Sequence, residues 1–320
     1  MGLNGARALV TGGFGFVGSQ LCRTLVERGS DVAVLDDLSV GSEENLAPAV
    51  AAEVHTIVAD VRDLDAVERH VRDFRPSVVV HLAAVHFIPT CEQQPTLAIG
   101  VNVGGTQAVL EACSRAGSVE AVVVASSGAV YAPSTSAHDE GAAIGPTDIY
   151  GFSKEWTERL ATYFHSSTGI SVGIARIFNV VGPGETNPHL LPAIIEQVRN
   201  GGEIRLGNLT TRRDYVFSGD VAEGLVRLAD GCVGNGVLTC NLGSESAQSG
   251  TELVELVARA TDRELSVEPD PARFRESDRP LLLSDCTRAF DLLGWRAETT
   301  IEDAVAAALA QPFATGYEGG

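Results

Sequence analysis

The stretch "LVTGGFGFVGSQL", residues 9–21, decides the fold. An apolar run leads straight into Gly12, Gly13, Gly15 and Gly18, and from there into residues of helical period. Glycines at such a junction permit a tight turn and let backbone approach a pyrophosphate lying on the helix N-terminus. The spacing alone is a weak signal, so its neighbours matter. The next apolar run, "DVAVLDD" (31–37), ends in Asp36. A carboxylate there accepts hydrogen bonds from the adenosine ribose hydroxyls and repels a 2′-phosphate. The residues that follow, "DLSVGSEEN", bring no arginine, so NAD is favoured over NADP. Asp60, closing "VHTIVAD" (54–60), either flanks the adenine or belongs to the N-terminal cap region of the next helix.

Around this turn, "ARALVTG", "DVAVLDD", "VHTIVAD", "SVVVHLAA" (77–84) and "EAVVVASS" (120–127) are nearly continuous apolar runs. Such runs are expected of strands buried on both faces of a parallel sheet. Segments of helical period separate them at 16–28, 63–74 and 95–116, and a sixth unit follows with a helix over 149–168 and a strand at "SVGIARIFNV" (171–180). The alternation predicts an α/β fold with a doubly wound parallel sheet of Rossmann type. From about residue 179, Pro and Gly punctuate short elements, with helices near 188–200, 218–230, 250–262 and 300–310. The expected organisation is an NAD-binding Rossmann domain over 1–178, a return to it near 214–243, and a smaller α+β substrate lobe drawn mainly from 179–320. Ligands belong at the carboxyl ends of the strands, in the cleft between the two.

A chain of 320 residues, 44% hydrophobic, can bury a large core. No apolar run reaches the roughly 18 residues of a membrane span. The start lacks a signal-peptide pattern, and Ala6 stands where a myristoylation signal wants Ser or Thr. A cytoplasmic location is expected. The six cysteines show no CxxC spacing, which argues for reduced thiols, against a zinc motif, and for no metal. A net charge of −19 repels nucleic acid and anionic lipid, so neither is an expected partner.

The chemistry is carried by "IYGFSKEW" (149–156), where Lys154 is the one lysine among 23 basic residues. Tyr150 and Lys154 are four apart on a predicted helix, so both side chains leave one face. Tyrosine is a poor base at its usual pKa near 10. A neighbouring ammonium stabilises the phenolate, and a lysine has donors to spare for the cofactor ribose. Ser126 and Ser127 end an expected strand at the ligand-binding edge, where a hydroxyl can donate to a substrate oxygen and relay its proton toward Tyr150.

TGGFGFVG, Asp36, "HLAA" (81–84), Ser127 and "YGFSK" together resemble the extended short-chain dehydrogenase/reductase family, in its nucleotide-sugar epimerase/dehydratase branch. The resemblance runs on through "NVGGTQAVLEA", "RIFNVVGPG", "NPHLLP", "RRDYVFSGDVAEGL" and "RESDRPLLLSDCTRAFDLLGW". It implies tightly held NAD, bound by Gly12, Gly15, Phe16, Val17, Gly18, Asp36, Asp37, Asp60, Val61, Leu82, Ala83, Ala84, Asn102, Tyr150 and Lys154. It also implies a nucleoside-diphosphate sugar, UDP- or dTDP-linked, held by His86, Ser127, Asn179, His189, Leu190, Arg213, Arg275 and Asp278. A forked guanidinium suits a diphosphate. A homodimer formed through the helices near 95–116 and 149–168 is a further implication.

Within that branch, 4,6-dehydratases carry Asp-Glu after the catalytic hydroxyl residue, and decarboxylases a glutamate at the second position. This chain has Gly128 and Ala129. What remains, Ser127, Tyr150, Lys154 and NAD, is similar to the 4-epimerases, which oxidise a sugar carbon transiently and reduce it from the other face. The alternatives are a keto-sugar oxidoreductase, a dehydratase or decarboxylase, and, from another class, a non-catalytic NAD-binding scaffold. His86 and Cys91 depart from many relatives, and each either lines the pocket or packs. His189 stands where asparagine is frequent in galactose epimerases, which points to another sugar.

Overall fold

Apolar β-branched runs and amphipathic segments alternate along the first half, and each becomes an element. A computed structural model describes residues 3, 5–185, 187–201, 204–270 and 279–310. The order begins β1 (Arg7–Thr11), α1 (Phe16–Glu27), β2 (Asp31–Asp36), α2 (Pro48–Ala51), β3 (Val54–Val58), α3 (Leu64–Phe74) and β4 (Val78–His81). Next come α4 (Ile88–Gln93), α5 (Pro95–Ile99), a π-helical segment (Gly100–Gly105), α6 (Thr106–Ala116), β5 (Ala121–Ser127), α7 (Ile149–Thr168), β6 (Ser171–Ile177) and β7 (Asn179–Val181). The remainder is α8 (Leu190–Arg199), β8 (Ile204–Leu206), β9 (Arg212–Phe217), α9 (Ser218–Cys232), β10 (Val237–Leu242), β11 (Ala247–Ser249), α10 (Gly250–Thr261), β12 (Val267–Pro269), β13 (Leu281–Leu282), α11 (Thr287–Leu293) and α12 (Ile301–Ala310).

Among the described residues the largest sheet has seven strands in the order β10-β6-β5-β4-β1-β2-β3, all parallel. This is the expected doubly wound α/β sheet. The chain lays β1, β2 and β3 outward in one direction, then crosses back to β4 and builds the other way. The reversal lies between β1 and β4, and a crevice opens at such a point beyond the strand carboxyl ends. One core, with Leu21, Leu25, Val34 and Leu225, joins α1 and α9 to one face of the sheet. A second, with Val67, Val71, Val109 and Phe164, joins α3, α6 and α7 to the other.

A second sheet has β9 between β11 and β13, with β7 also paired to β9, and β8 pairs with β12 separately. Its helices α8, α10 and α12 close a third core around Ile194, Leu253, Val257 and Val305. α10 opens with a capping box, Ser249 and Glu252 each satisfying the other's backbone N–H. α9 and β10 return to the large sheet.

Three expectations change. β3 is an edge strand, and His55, Thr56 and Val58 are exposed, because it has a neighbour on one side only. The helix expected over 95–116 is interrupted by the π-helical segment, which carries Asn102 inward and lets Gly105 ride over Val61, where a Cβ would stand 2.7 Å from Val61 Cγ2. The strand expected over 171–180 breaks at Phe178, where the chain leaves the large sheet and β7 joins the second.

Candidate active site

The glycine turn lies at the crevice. Gly12 has φ +69°, and a Cβ on it would come 2.7 Å from the Ala83 nitrogen of the neighbouring strand end. A Cβ on Gly18 would sit 2.1 Å from the Gly12 carbonyl oxygen. No side chain fits at either place, so the backbone itself forms the floor. α1 then begins at Phe16 and Val17 with Gly15 as its N-cap, without a side-chain cap and without an acidic residue in its first turn. The first N–H groups of a helix need acceptors, and a pyrophosphate supplies them.

Asp36 ends β2 beneath this loop. Its carboxylate accepts from Phe14 N (3.1 Å) and Leu38 N (2.9 Å) and so fixes the loop while keeping acceptor capacity for a ribose. Burial raises its pKa, and the two backbone donors work against that. Asp37 is exposed and bonded by Ser39. Asp60 grips Arg62, whose guanidinium holds the carboxyl below its ordinary range. The cap of α3 is Asp63, which accepts from Ala66 N at 3.0 Å, so the capping alternative for Asp60 fails. Leu82 N donates to the Thr11 carbonyl (3.1 Å) and Ala83 N to the Thr11 hydroxyl (3.3 Å), which closes β4 against β1. The turn, the uncapped helix and Asp36 fit NAD.

Beside the crevice, β5 delivers Ser127 and the first two turns of α7 deliver Tyr150 and Lys154. α7 is started by Asp148, which accepts from Gly151 N at 2.7 Å, so Tyr150 falls in the first turn. Burial pushes the Tyr150 phenol above its ordinary pKa, and the nearby Ser127 hydroxyl acts in the opposite sense. Ser127 Oγ accepts from Ala129 N at 3.1 Å. Lys154 is only 5% exposed, donates to the Ala125 carbonyl at 2.8 Å, and places its Nζ 5.8 Å from the Tyr150 ring centroid. Burial brings the ammonium down to about 8. Two of its three protons remain for Tyr150 and a ribose.

Of the supporting residues, the sequence singles out Asn102 and Ser126, and not His81 and Arg279. His81 is buried between the Thr11 hydroxyl (2.7 Å) and the Thr106 hydroxyl (3.0 Å), and burial lowers its pKa to about 3, so it is a neutral bridge. Asn102 accepts from Val85 N (2.8 Å) and gives its amide hydrogens to the Val85 carbonyl (2.9 Å) and Ser153 Oγ (2.9 Å). It therefore holds the loop after β4 against α7. Ser126 donates to Glu158, which is also clamped by Arg176. Arg279 donates to the carbonyls of Tyr131 (2.7 Å) and Ala129 (2.9 Å), fastening the loop that follows Ser127. The signals were polar residues ending or interrupting apolar runs, as His81 does in "VVVHLAA".

Of the expected sugar-nucleotide residues, Asn179 begins β7, His189 is the N-cap of α8 and Leu190 its first residue. Arg213, half-buried on β9, donates to the Arg279 carbonyl at 2.7 Å. Arg275 and Asp278 lie outside the described residues. His86 approaches Asn187 Nδ2 at 3.0 Å and faces the ring of His189 with centroids 5.9 Å apart. Cys91 is buried and its thiol bonds the Val85 carbonyl at 3.4 Å, so it packs beneath the loop. All six cysteines are buried and unpaired.

The sequence model of the NAD-dependent epimerase/dehydratase family matches residues 8–243, which hold the glycine turn and the whole Ser127–Tyr150–Lys154 set. The chain belongs to this family. Its cofactor is NAD. Among the relatives of this family member, the UDP-glucose 4-epimerase of Streptomyces lividans is 33% identical over 305 residues, 90% of each chain. The structure of the Thermus thermophilus UDP-glucose 4-epimerase in complex with NAD matches with a TM-score of 0.85 and 31% identity, over 95% of this chain and 98% of that one. MoeE5 in complex with UDP-glucuronic acid and NAD matches with a TM-score of 0.85 and 30% identity, over 95% and 98% of the two chains.

Proposed function

We propose that this family member, an NAD-dependent nucleotide-sugar epimerase, inverts carbon 4 of a UDP- or dTDP-linked sugar. The observation that supports carbon inversion over elimination is the loop after Ser127. Gly128 and Ala129 stand there without a carboxylate, and Gly128 is pressed to within 3.1 Å of the Phe178 ring, measured from where a Cβ would be. The loop thus offers no carboxylate beside the base and its activating ammonium to expel water.

Tyr150, as phenolate, takes the proton from the sugar hydroxyl, with the neighbouring Ser127 hydroxyl as a relay. Lys154 stabilises that phenolate and orients the ribose. NAD supplies the acceptor and donor of the hydride, so oxidation and reduction cancel over one turnover. The nucleotide is held by Asn179, His189, Leu190 and Arg213. Residues 179–320 then act mainly as the sugar-nucleotide lobe, and 1–178 with the return near 214–243 as the cofactor domain. The homodimer is supported by the outer face of α7, where Trp156 is 48% and Tyr163 70% exposed. Among the described residues no helix is long and apolar enough to cross a membrane, in keeping with a cytoplasmic site of action.

Incubation with a panel of UDP-, dTDP- and GDP-sugars, read by NMR, tests the reading. A C4-inverted sugar without net NADH formation is expected. A 4-keto-6-deoxy product, a decarboxylated product or stoichiometric absorbance at 340 nm would sink it.

A further inference from the structure

We propose that His86, Glu185 and His189 form a binding site for one divalent transition-metal ion of the zinc class, at the rim of the active site. One ligand atom from each of the three lies within 4.8 Å of the others. The set is two imidazoles and a carboxylate, the nitrogen-and-oxygen mixture that Zn²⁺, Co²⁺ and Ni²⁺ accept, leaving a fourth position open. Around a tetrahedral ion with bonds of about 2.0–2.1 Å the ligand atoms stand about 3.4 Å apart, so the side chains must draw together by up to about 1.5 Å.

The surroundings already orient the ligands. His86 Nε2 meets Asn187 Nδ2 at 3.0 Å, which holds the ring in place until an ion displaces the amide. Glu185 is only 5% exposed, and its carboxylate accepts from Asn187 N at 2.8 Å. Phe87 stacks edge-on against His189, with centroids 5.3 Å apart, and limits how that ring can turn. The ligands come from two loops, His86 between β4 and α4, and Glu185 and His189 between β7 and α8. An ion would therefore tie the end of the large sheet to the segment that enters α8. The cysteine spacing that argued against a metal does not bear on this site, because none of its ligands is a cysteine.

The proposal stands apart from the choice of sugar and is tested on the full-length chain. After dialysis against a chelator, the protein is titrated with Co²⁺ and read by visible absorption, and with Zn²⁺ by calorimetry. One equivalent per chain is expected. His86→Ala and His189→Ala should each weaken binding at least about 100-fold. His55→Ala, on the exposed edge strand, should leave it unchanged. NAD binding and the melting temperature show that each variant is folded. Glu185→Gln repeats the test at the buried ligand, and the two histidine variants decide it should that protein not fold. Absence of a stoichiometric ion, or one equivalent that survives both histidine variants, overturns the proposal.

Discussion

Lys154→Met removes one charge from the active site while keeping its length and apolar stem. The Nζ lies 5.8 Å from the Tyr150 ring centroid and is buried. At an effective dielectric of about 20, a unit charge at that separation favours the phenolate by about 3 kcal/mol. That corresponds to about a 100-fold fall in turnover, and to a shift of about two pH units in the basic pKa that governs the rate. The assay is the epimerisation rate across pH 6–10, coupled to detection of the product sugar, with NAD content measured in the same samples. In the unmodified protein the ammonium titrates at about 8, so it is charged below that pH and its help fades above it. The wild-type rate should therefore decline on the alkaline side, and the Met variant should lack that decline and need higher pH to reach its plateau. Lys154→Arg should not restore the rate, since a planar guanidinium cannot keep the bond to Ala125 and face the phenol in the same space. A Met variant within threefold of wild type at pH 7, with the same pH profile, would refute the electrostatic assignment.

Tyr150→Phe should lose most turnover yet retain NAD, which a ligand-content measurement and single-turnover kinetics check; full turnover would remove the tyrosine as base. Gly18→Ala places a methyl 2.1 Å from the Gly12 carbonyl oxygen, so NAD affinity should fall at least tenfold in a fluorescence titration while the secondary structure persists. Arg176→Met strands the Glu158 carboxylate, whose side chain is 12% exposed and whose partner is 8% exposed. Unfolding in urea should show a loss of about 3–5 kcal/mol, and a loss under about 1 kcal/mol would mean that the pair is relieved by water.

The parallel sheet was legible because strands covered on both faces need unbroken apolar runs, as β1, β4 and β5 show. The cofactor turn was legible because its glycines stand where no Cβ fits. Helical period put Tyr150 and Lys154 on one face, and the glycine turn and Ser127 beside them singled the pair out. What escaped depends on contacts between distant positions. His81 meets residues 70 places before and 25 after it, and Arg279 fastens carbonyls 148 and 150 places away. No local pattern encodes such partners. The short strands β8, β11 and β13 carry two or three residues each, too few for a period to register. The exposed side of β3 looked buried because edge position is a property of the sheet, not of the strand.

Phe178 is the one residue between β6 of the large sheet and β7 of the second. Its N–H is tied to the Leu242 carbonyl at 3.0 Å, and its ring supports Gly128 directly beyond the catalytic serine. A joint one residue long has two soft torsions and here almost no room to use them. Opening the sheets at this point would drag the serine loop along and spoil the geometry it holds. Inversion at a sugar carbon nevertheless demands that both faces of the ring be shown to one fixed hydride carrier. On the proposed reaction, a frame braced in this way leaves the half-turn to the sugar on its diphosphate.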